Sequence, residues 1–192
     1  MISEEELVQA LVLTGELMGR QLSVGAAKMM LADLAGYDRD MVAKALSRLR
    51  REGGRFAVDE ILRRLDDGRP GADEAWAMLP FDEGATVVWT DEMAEAWGIA
   101  RPLFDARDRA GAQRAFREAY TKRVMEAREQ RKAPRWWASL GSDKGGREAP
   151  LLEAVQRGRL TAQHVDGLLQ HSNPQAAFLL EAAQRAVAKI AA

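Results

Sequence analysis

Residues 131–147, RKAPRWWASLGSDKGGR, combine the two kinds of side chain that proteins use to hold single-stranded nucleic acid. Lysine and arginine bind phosphates, and aromatic rings stack on unpaired bases. Because Trp136 and Trp137 directly follow several cations, the pattern predicts a nucleic-acid contact. Its candidate residues are Lys122, Arg123, Arg128, Arg131, Lys132, Arg135, Trp136 and Trp137. A second interpretation is open, in which the tryptophans anchor a turn in the core and the arginines cover an exposed helix face.

Motifs for other chemistry are missing from the sequence. Neither of the glycine patterns that cradle nucleotide phosphates, G-x-x-x-x-G-K-[ST] and G-x-G-x-x-G, occurs in the chain. His164 and His171 are seven residues apart, whereas helical zinc sites use histidines four apart with a further ligand. No serine lies in a G-x-S-x-G elbow, and the carboxylates cluster as a solvated face would. We therefore expect no catalytic group, no metal and no cofactor.

The composition describes a helical protein without extreme charge. The chain has 192 residues, of which 28 are Lys or Arg and 29 are Asp or Glu, and it contains no cysteine. The net charge of −1 argues against a basic protein that coats nucleic acid. The first residues, MISEEELVQA, do not resemble a signal peptide, and no apolar run approaches the roughly 20 residues that cross a bilayer. We expect a cytoplasmic protein with no membrane contact.

Charge is distributed unevenly in the second half of the sequence. Residues 66–97 carry nine carboxylates and one arginine, whereas residues 101–147 carry thirteen cations and six carboxylates. Two explanations are open. Either the acidic segment packs near the basic one, or the two segments form separate surfaces for two partners.

Hydrophobic spacing predicts an all-α fold with a small N-terminal bundle. Four short helices are indicated in residues 1–66, and Ser3, Ser23 and Asp38 are placed to cap the first three. Ser3 and Glu6 also form a capping-box pattern.

A Gly/Pro-rich acidic linker is expected at 67–73, followed by a helical domain over 74–192. This domain is built around one long helix, roughly 106–132. ATVVWT is the only plausible strand, and because it has no evident partner we expect an extended connection there. A last helix near the C-terminus has a broad apolar face that suits the core or a homodimer.

Residues 22–68 resemble the helical N-terminal domain of phage replicative helicase loader/inhibitor proteins. The shared features are the V-x-x-A-L pattern of Val42, Ala45 and Leu46, then Phe56 and a closing helix with Ile61. The EAW of residues 74–76 is also similar to these proteins. A W-x-S-L-G-x-D-x-x-G-R stretch, residues 137–147, resembles uncharacterised prophage-type proteins.

The resemblance implies a non-enzymatic adaptor. One domain of such a protein grips a replicative helicase or an initiator, and a second part engages another partner or single-stranded DNA. The alternative hypothesis is a mobile-element inhibitor, which would present the acidic 66–97 face to a basic host defence or regulatory protein and bind no DNA.

Overall fold

The computed structural model describes residues 2–169, and the regular structure in this range is predominantly helical. The all-α prediction is confirmed. The helices are α1 (Glu4–Leu17), α2 (Val24–Asp33), α3 (Arg39–Glu52), α4 (Val58–Arg63), α5 (Ala72–Ala77), α6 (Asp91–Asp105), α7 (Arg109–Glu129), α8 (Glu148–Gln156) and α9 (Ala162–Leu169). The two strands are β1 (Val87–Thr90) and β2 (Trp136–Ser139). The predicted C-terminal helix, with the homodimer hypothesis and His171, lies outside the described residues.

The chain divides into two compact units. Unit 1 contains the residues up to Arg69 together with Lys122–Ala133. Unit 2 contains Pro70–Thr121 and the described residues from Pro134 onward. The division therefore differs from the predicted ranges 1–66, 67–73 and 74–192, because the last part of α7 belongs to unit 1.

Unit 1 is built from helices whose ends are fixed by local sequence. The capping box is present: Ser3 Oγ accepts from the Glu6 amide at 3.2 Å, and the Glu6 carboxylate accepts from the Ser3 amide at 2.8 Å. Ser23 and Asp38 cap α2 and α3 as expected. The core of this unit consists of Leu7, Val8, Leu11, Ala27, Leu34, Val42, Ala45, Leu46, Leu49, Phe56, Ile61, Leu62 and Leu65.

The run 67–73 is not the separate linker that its composition indicates. Arg69 is buried, and its guanidinium lies 2.7 Å from the Asp67 carboxylate and 3.0 Å from the Lys132 carbonyl. Helix α5 already begins at Ala72. The physical reason is a buried cation on α7, Arg128, for which Asp67 is the counterion. Composition alone does not reveal so distant a partner.

Unit 2 contains a strand pair where the sequence indicated an unpaired connection. Strand β1 pairs antiparallel with β2, and Val87 lies opposite Ser139 while Trp89 lies opposite Trp137. The expectation of an extended connection is therefore wrong. The sequence does not reveal this strand pair, because the Trp136–Trp137 dipeptide is equally typical of a turn or of a stacking platform.

Helix α6 begins directly after β1, in a stretch where the sequence predicts no helix. Thr90 caps it by accepting from the Met93 amide, and two carboxylates occupy its first turn, where the helix dipole favours them. Its inner face is Met93, Ala96, Trp97 and Ala100. The acidic character of this stretch obscured that apolar spacing.

The described part of unit 2 contains two apolar regions. One is a cluster of aromatic rings in contact, whose members are Trp76, Phe81, Trp97, Phe104, Phe116 and Tyr120. The other packs β1 against the last two described helices through Val88, Leu151, Ala154, Val155, Ala162, Val165 and Leu169. Tyr120 also donates to the Pro70 carbonyl at 2.8 Å, which ties α7 to the start of this unit.

Candidate functional site

The eight residues predicted to contact nucleic acid are divided between the two units. Lys122, Arg123, Arg128, Arg131 and Lys132 belong to unit 1, whereas Arg135, Trp136 and Trp137 belong to unit 2. Neither unit by itself combines the adjacent tryptophans with the whole set of cations. Each group is therefore best assessed by its own surroundings.

Arg128 is a structural residue and not a phosphate ligand. Its side chain is 7% exposed, and every N–H of its guanidinium has an acceptor at 2.9–3.0 Å. The acceptors are both carboxylate oxygens of Asp67 and the carbonyls of Leu62, Arg63 and Leu65. The prediction for Arg128 is corrected on this geometry, because a buried guanidinium with all donors used has none left for a phosphate.

Asp67 completes this network, and the network in turn lowers the pKa of its carboxyl group. Burial alone would raise the pKa of Asp67, but the hydrogen bonds and positive charge of Arg128, with a contribution from Arg69, outweigh burial and hold that pKa below its usual value. The carboxylate is therefore ionised at neutral pH. Since it satisfies two buried arginines, the network holds the start of the predicted linker against α7.

Arg135 and Trp137 converge on the first residue of α6. Arg135 makes a bidentate contact with Asp91, with both distances 2.7 Å, and the Trp137 indole donates to the same carboxylate at 3.0 Å. The hydrogen bonds from Arg135 lower the pKa of Asp91, and that from Trp137 adds to the effect. Trp137 also packs edge-to-face on Trp89, with the ring centroids 5.4 Å apart. These contacts describe a packing anchor better than a stacking platform.

Trp136 lies on β2 and is partly buried. The Arg159 guanidinium lies over its ring, 4.2 Å from the centroid. One face of the Trp136 ring is therefore already covered by Arg159. Burial lowers the pKa of this arginine. A base could stack on that face only by displacing Arg159.

Four candidate cations of unit 1 are exposed, and so is Arg135 of unit 2, whose guanidinium is held by Asp91. The four of unit 1 are Lys122, Arg123, Arg131 and Lys132. Arg123 forms a surface ion pair with Glu126 at 3.1 Å. Phosphate contact at this end of α7 thus has residues to support it, whereas base stacking does not.

The charge asymmetry is used largely within each unit. At least six of the nine carboxylates in residues 66–97 form ion pairs with arginines of the same unit. Those carboxylates are Asp66, Asp67, Asp73, Glu74, Glu83 and Asp91. Four of the partner arginines come from the basic segment, namely Arg101, Arg117, Arg128 and Arg135. Of the two explanations offered above, the intramolecular one fits this arrangement.

The sequence did not indicate a groove of about 600 Å³ between α1 and α2 in unit 1. Val8 and Val12 lie one turn apart on one side, and Val24 lies on the other. Val24 is 58% exposed. The polar edge consists of Glu4, Glu5, Gln9 and Lys28. In the sequence, the groove is indicated only by the i, i+4 spacing of Val8 and Val12, which lie beside the inner stripe of α1.

Comparison with known proteins adds no family to this description. No protein-family model matches the chain, and neither a curated protein nor a solved structure matches it. Within residues 2–169, no helix is both long and apolar enough to span a membrane. The same residues contain no group of three His, Asp or Glu side chains suited to hold a metal ion.

Proposed function

We propose that the protein is a non-enzymatic adaptor of phage-type DNA replication that binds a replicative helicase through unit 1. The observation that carries this proposal is the apolar groove between α1 and α2. Exposed apolar side chains beside a concave surface are typical of a protein-binding site. The resemblance of residues 22–68 to helicase loader/inhibitor proteins supplies the class of partner, and α2 of the groove lies within that stretch.

Charge at the groove narrows the chemistry of the partner segment. Glu4 and Glu5 stand at one edge; Lys28 is the cation of the lining, and Arg39 outside the groove pairs with Glu4 at 3.1 Å, which leaves Glu5 as the carboxylate offered to a partner. A partner helix with an apolar face and neighbouring basic residues would match this arrangement. The proposed contact is therefore with a basic amphipathic segment of the helicase.

A pull-down of the full chain with the replicative helicase of its host tests the proposal. We expect a complex that persists in moderate salt, since apolar burial drives it. The absence of any complex at micromolar concentrations of both proteins would contradict the proposal.

A second candidate function, contact with single-stranded DNA, is supported by the four exposed cations of unit 1. Because such binding releases counterions from the phosphates, its affinity should fall steeply with salt. The set consists of Lys122, Arg123, Arg131 and Lys132. Trp136 and Trp137 have no part in this candidate function.

The alternative of an inhibitor that presents an acidic face to a host protein has less support. It requires the carboxylates of residues 66–97 to be available, and at least six of the nine are paired within their own unit. The side chain of Asp67 is only 9% exposed, whereas the other paired carboxylates remain partly exposed. Their arginine partners neutralise the negative charge that would attract a basic partner.

A further inference from the structure

Unit 2 contains a cavity of about 310 Å³ that the proposed function does not use. Its walls include four aromatic side chains, those of Phe81, Trp89, Trp97 and Phe104. The rings hold each other in place: Phe81 and Phe104 stack at 5.4 Å, and Trp97 meets each of them edge-on. A molecule bound in this cavity would therefore contact rigid aromatic rings rather than flexible side chains.

The polar lining of this cavity is mostly negative. Three carboxylates, Asp82, Glu83 and Asp105, accompany one cation, Arg101. Arg101 lies 3.1 Å from the Glu83 carboxylate and 3.6 Å from that of Asp105. Since one guanidinium faces three carboxylates, the lining keeps an excess of negative charge.

Two further observations point to a bound group. The Arg109 guanidinium lies 5.0 Å from the centroid of Phe81, so a ring of this cluster already holds a cation. The Trp89 indole N–H is buried and has no acceptor among residues 2–169. This aromatic wall therefore favours cations, and the Trp89 N–H would serve only a ligand that also carries an acceptor oxygen, such as the hydroxyl of choline, since an ammonium group has no acceptor.

Part of the remaining lining of the cavity comes from the W-x-S-L-G stretch of residues 137–141. Ser139, Leu140 and Gly141 line the cavity. Gly141 donates to Thr86 Oγ1 at 3.1 Å, and the next residue, Ser142, donates to the Glu83 carbonyl at 3.0 Å. The stretch thus fixes the loop that carries Glu83.

We propose that this cavity binds an organic ammonium ion of the size of choline or a lysine side chain. Aromatic surface attracts cations through the ring quadrupole, and quaternary ammonium groups are bound by aromatic cages of this kind. The surrounding carboxylates add charge attraction, which is stronger beside an apolar wall than in bulk water. The proposal concerns unit 2 alone and does not depend on helicase binding.

The test follows the indole N–H signals of the 15N-labelled full chain during titration with choline. The chain has five tryptophans, two of which line the cavity. We expect saturable shifts of the Trp89 and Trp97 signals. The uncharged isostere 3,3-dimethylbutan-1-ol should bind at least fivefold more weakly. Equal binding of the two compounds would overturn the proposal, because it would show an apolar pocket without preference for charge.

Single-charge variants give a sharper readout. Glu83→Gln should weaken choline binding about threefold, whereas Glu118→Gln, an exposed carboxylate of unit 2 outside the cavity, should leave it unchanged. Arg101→Gln should strengthen choline binding, because it frees Glu83 and Asp105. Glu83 is 88% exposed and Arg101 50%, so both variants should fold.

Inorganic phosphate provides the opposing probe. If phosphate shifts the same indole signals and Arg101→Gln abolishes that response, the cavity is an anion site and the proposal is overturned. A parallel titration with the methylamide of Nα-acetyl-lysine distinguishes the sources of the ammonium group. Tighter binding of this compound than of choline indicates a lysine side chain of a partner protein, and the reverse order indicates a free quaternary amine.

Discussion

Asp67 and Arg128 show how a single pair decides the architecture of unit 1. The guanidinium is buried with all its donors satisfied, and the carboxylate supplies two of the acceptors. Breaking a buried pair by removing one charge leaves the other uncompensated, which typically costs about 3–5 kcal/mol. The run that composition marked as a linker is therefore a structural part of the bundle.

We predict that Asp67→Asn lowers the free energy of unfolding by about 3–5 kcal/mol at pH 7. The neighbouring Asp66→Asn is the matched control, because Asp66 forms an exposed pair with Arg48 and should cost less than about 1 kcal/mol. Denaturant unfolding at neutral pH measures both. Equal effects of the two variants would contradict the assignment of Asp67 to a buried network.

The same carboxylate should contribute to acid sensitivity. Since folding lowers the pKa of Asp67, its stabilisation is fully present above the ordinary aspartate pKa of about 4 and is lost as pH falls through the lower folded pKa. The unfolding free energy of the wild type should therefore decline below about pH 4 more steeply than that of Asp67→Asn. Parallel declines in a series of unfolding curves between neutral and acid pH would contradict this prediction.

Gly141 is a second residue whose identity the fold requires. A Cβ at this position would overlap the Gly84 carbonyl, and because the nearest atoms are backbone of Gly84 and Ala85, no side chain can move aside. Gly98, by contrast, lies inside α6, and a Cβ there would meet no atom within 4 Å.

We predict opposite effects of alanine at these two glycines. Gly141→Ala should destabilise unit 2 by more than about 2 kcal/mol, as overpacking does. Gly98→Ala should stabilise it by about 0.5–1 kcal/mol, because alanine loses less backbone freedom in a helix. Thermal unfolding checks both variants, and a loss of stability from Gly98→Ala comparable to that from Gly141→Ala would contradict this reading of the packing.

At the scale of elements, strand β2 explains the tryptophan pair. Trp137 pairs opposite Trp89, packs on its ring and donates to Asp91, so it connects β1, β2 and the start of α6. Trp136 faces the α8–α9 core and carries Arg159 on its ring. The tryptophans hold a small sheet together, which agrees with the packing interpretation of the sequence.

We predict that Trp137→Ala lowers stability by about 2–4 kcal/mol, in the range of large-to-small substitutions, and leaves affinity for single-stranded DNA unchanged within twofold. The exposed pair Lys122→Ala with Lys132→Ala should do the reverse, weakening DNA binding without loss of stability. Fluorescence anisotropy with a labelled oligonucleotide, at two salt concentrations, measures the affinities. Loss of binding in a folded Trp137→Ala variant would restore the stacking hypothesis.

Elements with local signals were predictable from the sequence, and those that depend on distant partners were not. The first three helices have their caps within three residues, so Ser3, Ser23 and Asp38 marked their starts correctly. The partner of β1 lies almost fifty residues away, and nothing in ATVVWT specifies it. In the sequence, Arg128 cannot be distinguished from the other cations of α7. Its burial depends on where the fold places Asp67. The groove and the aromatic cavity are likewise properties of packed surfaces.

On the scale of the whole molecule, the two units carry different candidate sites. Unit 1 has the α1–α2 groove and the exposed cations, and unit 2 has the aromatic cavity. The charges of the acidic and basic segments pair largely within each unit, and the buried pair of Arg128 with Asp67 is the one that contributes most to stability. The function of an adaptor therefore rests on the groove, which is the surface that the central proposal assigns to the helicase.

Titration of the helicase with matched groove variants tests this claim most directly. Val24→Glu places a charge in the groove at the first turn of α2, where the helix tolerates an acidic residue. Met29→Glu makes the same change on the same helix outside the groove, at a side chain 73% exposed. We predict wild-type affinity for Met29→Glu and at least tenfold weaker binding for Val24→Glu, measured by calorimetry on folded proteins. Equal affinities of the two variants, or no binding by the wild type, would contradict the account.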